Sequence, residues 1–89
     1  MKKVFIVCEK YFFLMNGYDY AAAINDDKIV CFKNREDAVE HMKRETEKLR
    51  DIHGESVVKV ERSKGSGYNQ VRLNDGCRYV VQIIEKNLL

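Results

Sequence analysis

Residues 68–85, YNQVRLNDGCRYVVQIIE, decide the fold, because they read as two strands folded back on each other about Asp75-Gly76. Asp-Gly between apolar runs is a strong short-range hairpin signal, since a tight turn needs positive φ and glycine supplies it without steric cost. Tyr68 to Leu73 and Cys77 to Glu85 are therefore expected as antiparallel neighbours. A two-residue type I′ turn sets Arg72 opposite Tyr79 and Tyr68 opposite Ile83. Side chains alternate along a strand, so Tyr68, Gln70, Arg72, Tyr79, Val81 and Ile83 share one face. Val71, Leu73, Val80 and Ile84 take the other, with Arg78 at its end.

Working back along the chain, Ser56 to Arg62 (SVVKVER) is a further strand, joined to the hairpin through Ser63 to Gly67. Before it stands the one strong helical pattern, from Asn34 to His53. Asn34 is a favoured N-cap, Glu36 and Asp37 suit the positive end of the helix dipole, and Gly54 suits the residue that ends it. Ala38, Met42, Leu49 and Ile52 recur at helical spacing, widened by Val39 and Thr46. Lys43, Arg44, Glu47, Lys48 and Arg50 form the outer face.

Val4 to Phe13 (VFIVCEKYFF) is a first strand, with Val4, Ile6 and Cys8 on one face and Phe5 and Val7 on the other. Apolar residues on both faces mark it as central. Asn16-Gly17 reads as a turn, Tyr18 to Ile24 as a second strand, Asn25 to Asp27 as a hairpin turn, and Lys28 to Phe32 as a short strand. The order is β-β-(β)-α-β-β-β in one small domain, residues 1–89. The economical arrangement is α+β: a largely antiparallel sheet of about five to six strands with a single helix on one face.

Lys3 to Val7 gives an opening Lys-Val-Phe-Ile-Val strand, and Gly17 to Tyr20 a Gly-Tyr-Asp-Tyr loop. Val30-Cys31-Phe32 stands just before Glu36-Asp37-Ala38, and Tyr79 to Glu85 closes the chain as a strand. In these features the sequence resembles a group of small uncharacterised α+β domains from bacteria and their phages. The resemblance covers about half the chain and lies in packing positions. It implies a fold and carries over no activity and no catalytic residues.

Composition narrows the function classes. Hydrophobic residues are 45% and charged residues 34%, the balance of a folded domain rather than a disordered one. Cys8, Cys31 and Cys77 are an odd number without paired-ligand spacing, so each reads as a small buried hydrophobe, with no disulfide and no metal. Gly65-Ser66-Gly67 lies between strands, whereas a phosphate loop needs a helix N-terminus beside it. Neither a serine elbow nor a Cys–His pair is apparent around His41 and His53, so no catalytic residue and no cofactor is assigned. The apolar run after Lys2-Lys3 is broken by Glu9, too early for a secretory signal, and the expected compartment is the cytoplasm, away from membranes.

Two partner expectations follow. One helix covers one sheet face, yet two strands are apolar on both. Phe5, Val7, Tyr79, Val81 and Ile83 are therefore the candidate contacts for a second copy or a protein partner. The alternative is nucleic acid. Residues 56–89 hold six basic and three acidic groups, and Arg62, Lys64, Tyr68, Arg72 and Arg78 interleave cations with a ring. The net charge of +2 is small for such a role, and a Tyr–Arg pair that only packs explains the same residues.

Overall fold

The computed structural model describes residues 2–15, 19–25, 28–63 and 67–88, with backbone alone at 14–15 and 19–22. The Asn16-Gly17 turn, Asp26-Asp27, Lys64 and the Gly65-Ser66 pair lie outside the described residues. The fold is α+β, one helix on a six-stranded antiparallel sheet. In chain order the elements are β1 (Lys2–Met15), β2 (Asp19–Ile24), β3 (Val30–Phe32), α1 (Arg35–His53), β4 (Val57–Arg62), β5 (Tyr68–Leu73) and β6 (Arg78–Leu88).

Across the sheet the order is β2-β1-β6-β5-β4, with β3 also on β1. The long strands β1 and β6 pair from Lys2↔Leu88 to Phe12↔Arg78 and form the spine. β4, β5 and β6 make the expected meander. The expected hairpin between β2 and β3 does not form. Both pair with β1, β2 along Lys10–Met15 and β3 along Phe5–Val7, so they lie end to end on one edge. A strand as long as β1 offers two short strands room in line, which a local turn signal does not reveal.

The 68–85 hairpin has a three-residue turn instead of two. The Gly76 N–H donates to the Leu73 carbonyl at 3.1 Å, and the Leu73 N–H to the Cys77 carbonyl at 2.9 Å. Gly76 takes φ +88°, the left-handed conformation that closes such a loop. The Asp75 carboxylate accepts the Cys77 N–H at 2.9 Å, which holds its pKa below the ordinary 3.8. Arg72 therefore faces Arg78, Val71 faces Tyr79 and Tyr68 faces Gln82. A one-residue slip sends every side chain of a strand to the other face, so Tyr79, Val81 and Ile83 join Val71 and Leu73.

That face meets α1. Ala38, Met42, Thr46 and Leu49 pack on Phe5, Val7, Val71 and Val81, and the last three are each 1% exposed. Buried aliphatic side chains of this size stabilise by roughly 1.5–3 kcal/mol each. The Thr46 hydroxyl donates to the Met42 carbonyl at 2.7 Å and accepts from the Asn69 amide at 3.0 Å, tying helix to sheet. Ile52, expected in the apolar stripe, is 75% exposed, and Glu45 is buried in the stripe instead. Glu45 is tolerated because Lys28, Lys48 and His41 surround its carboxylate at 3.5–3.8 Å. Asn34 stands at the N-cap, but its side chain reaches Asp37 Oδ2 at 3.4 Å rather than a backbone N–H. Cys8 and Cys77 are buried as expected, while Cys31 is exposed on the short edge strand.

Candidate nucleic-acid interface

The sheet face opposite α1 has no covering element among the described residues, and the register dictates its contents. From β1 come Lys2, Val4, Ile6, Cys8, Lys10 and Phe12; from β6 come Arg78, Val80, Gln82, Ile84, Lys86 and Leu88. Tyr68, Gln70 and Arg72 of β5, and Lys59 and Glu61 of β4, complete it, with Cys8 and Gln70 themselves buried among these side chains. Among the described residues, this open face holds six cations, Lys2, Lys10, Lys59, Arg72, Arg78 and Lys86, against one carboxylate, Glu61. The segment forming α1 is the reverse, with seven acidic and five basic residues over positions 34–55. The charge difference between the two sides is larger than the total of +2 suggests.

Three of the cations lie in an ordered row. Phe12, Arg78, Arg72 and Lys59 stand side by side on β1, β6, β5 and β4. At about 4.8 Å per strand the row is roughly 14 Å wide. The Arg78 guanidinium lies over the Phe12 ring, 4.7 Å from its centre, which fixes both groups. Glu61 bridges its neighbours, forming ion pairs with Arg72 at 3.3 Å and with Lys59 at 3.7 Å. These pairs are exposed and weak, so an incoming anion can replace the carboxylate. At the other end of the face a groove of about 640 Å³ runs between Lys2, Lys3, Val4, Cys31, Phe32, Lys33 and Leu88. Its apolar floor and lysine rim extend the basic surface around the β3 edge.

The sequence-derived candidates divide between the two sides. Tyr68, Arg72 and Arg78 are brought together on the open face. Arg62 is not among them: it stands beside Asn69 on the helix side and pairs with Glu47 of α1. All five contacts expected for a protein partner, Phe5, Val7, Tyr79, Val81 and Ile83, belong to the face that α1 covers. Phe5, Val7 and Val81 are buried, and Tyr79 and Ile83 pack against the core. Lys10, Lys59, Lys86, Phe12 and Gln82 are not singled out by the sequence. The signal that finds them is the two-residue strand period counted from a three-residue Asn74-Asp75-Gly76 turn.

On the covered side, Glu9 is buried near Glu45 and lines a depression of about 240 Å³ with Tyr11, Ile24, Asn25 and Tyr79. Burial pushes the Glu9 carboxyl above its ordinary 4.5, Glu45's charge adds to the rise and Lys28 offsets part of it. The Tyr11 phenol, hydrogen-bonded to the Cys77 side chain and partly desolvated, is pushed up to about 12, so it stays protonated at neutral pH. Among the described residues no three of His, Cys, Asp and Glu cluster as metal ligands, and no helix is long and apolar enough to cross a membrane. The chain matches no protein-family model, no curated protein and no solved structure, so the resemblance noted above rests on its quoted residues alone.

Proposed function

We propose that this chain is a small, non-catalytic binding module that holds nucleic acid on the open face of its sheet. The observation that carries the reading is the excess of six cations over one carboxylate on that face, gathered from β1, β4, β5 and β6. Phosphates are the ligand for such a surface, because each one neutralised releases condensed counterions. The same register weakens the case for a protein partner, since the apolar residues counted toward it lie beneath α1. A second copy docked on this face would set like charges against each other. The half-buried strip of Val4, Ile6 and Ile84 is what favours that second reading. A cytoplasmic setting suits the three free thiols, and an accessory role in a bacterium or a mobile element suits the resemblance.

Fluorescence anisotropy with labelled oligonucleotides from about 50 to 200 mM salt tests the proposal. Binding is expected near micromolar at the low end, with log K falling linearly against log salt. Lys59→Gln with Arg72→Gln should flatten the slope by about 1.4 for single strands. Glu61→Gln should tighten binding, and Lys43→Gln with Arg44→Gln on α1 should change little. An absence of binding at low salt, with a dimeric mass by light scattering, would overturn the proposal in favour of the second copy.

A further inference from the structure

We infer that the bound nucleic acid is a single strand, and that one of its bases stacks on the Tyr68 ring beside the side chain of Gln82. This inference rests on the proposed function and adds the form of the ligand. Tyr68 is 40% exposed, the most open ring among the described aromatic residues, on a face whose other described ring, Phe12, is already occupied by the Arg78 guanidinium. Gln82, half-buried, is its direct cross-strand neighbour, while Gln70, two residues along β5 on the same face and about 7 Å away, is buried. A flat ring beside the Gln82 amide offers a base what it loses on leaving a duplex: a π-surface, and a donor and acceptor for its edge. Arg72 stands two residues beyond Gln70, about 14 Å from Tyr68 along the strand, with Lys59 beside it. Lys10, Lys59, Arg72 and Arg78 thus lie to one side of the ring and Lys86 and Lys2 to the other, along the line an extended strand would follow.

A duplex is a poor fit for the same surface. Its bases are stacked on one another and present no free face, and reading them takes an element that enters a groove. The open face is a sheet with no described helix or loop rising from it. The arrangement is that of sheet-face binders, in which aromatic side chains on neighbouring strands stack unpaired bases.

The test compares three labelled probes, a 15-mer of dT, a 15-mer of U and a 15-bp duplex, on the wild type and on Tyr68→Phe, Tyr68→Leu and Tyr68→Ala. Either single-stranded probe should bind more tightly than the duplex. Tyr68→Ala should weaken single-strand binding by about 5- to 150-fold, the range for loss of one stacked base. Tyr68→Phe should keep most of the affinity, and Tyr68→Leu, which retains bulk without the π-face, should resemble Tyr68→Ala. The salt slope should not move, because the ring neutralises no phosphate. Thermal melts of each variant confirm that the fold survives. Equal or tighter duplex binding, or a Tyr68→Ala variant with wild-type affinity, overturns the single-strand inference and leaves the proposed function standing. Loss of binding for every probe overturns the proposed function itself.

Discussion

Thr46→Val tests how the helix is docked on the sheet. Valine keeps the shape of threonine, so the change removes a hydroxyl and leaves the packing. That hydroxyl makes two bonds, donating to the Met42 carbonyl at 2.7 Å and accepting from the Asn69 amide at 3.0 Å. The Met42 carbonyl keeps the main-chain donor of its own helical turn, so its loss is small. The Asn69 amide is different. Asn69 is 3% exposed and Thr46 1% exposed, so no water replaces the acceptor, and a buried polar group is left unpaired. Such a group costs about 1–3 kcal/mol. For a domain of this size each kcal/mol moves the melting temperature by about 4–8 °C, so a fall of roughly 4–24 °C is expected. Urea denaturation supplies the free energy, and a double-mutant cycle with Asn69→Ala isolates the pair, with a coupling of about 0.5–3 kcal/mol. If Thr46→Val melts within a degree of wild type, or the two changes simply add, the helix does not dock through this bond.

The hairpin register makes an asymmetric prediction at adjacent residues. Val81→Asp places a charge where the side chain is 1% exposed beneath α1 and should cost more than about 4 kcal/mol, while Val80→Asp, on the open face, should cost far less. Urea midpoints of the two variants check it, and the reverse order would show the two-residue turn to be correct. Glu9 links stability to pH. Its folded pKa is raised above 4.5, so its favourable contribution is complete below about that pH and is lost as pH rises through the folded value. Glu9→Gln should therefore gain stability over wild type progressively above about pH 4.5, and urea midpoints that differ by a constant amount from pH 4 to 8 would refute this.

The elements of this fold are local objects, and the sequence specifies them. The α1 segment carries its own start and stop, with Glu36 and Asp37 at one end and Gly54 at φ +47° at the other. β5 runs over the residues expected, and β1 reads as a central strand because both its faces are apolar. The single helix and the antiparallel meander follow from those signals. Partnership and facing are not local. Asn74-Asp75-Gly76 is compatible with a two- or a three-residue turn, and local chemistry does not choose between them. Burial of Tyr79, Val81 and Ile83 against Phe5, Val7 and α1 makes the choice, and with it Arg72, Arg78, Lys10 and Lys59 share a face. A strand's period of two converts a one-residue difference in a turn into an exchange of its covered and open surfaces. The residue types on this surface were therefore readable from the chain, while their assembly into one basic, aromatic-bearing face was decided by the packing of the helix on the other side.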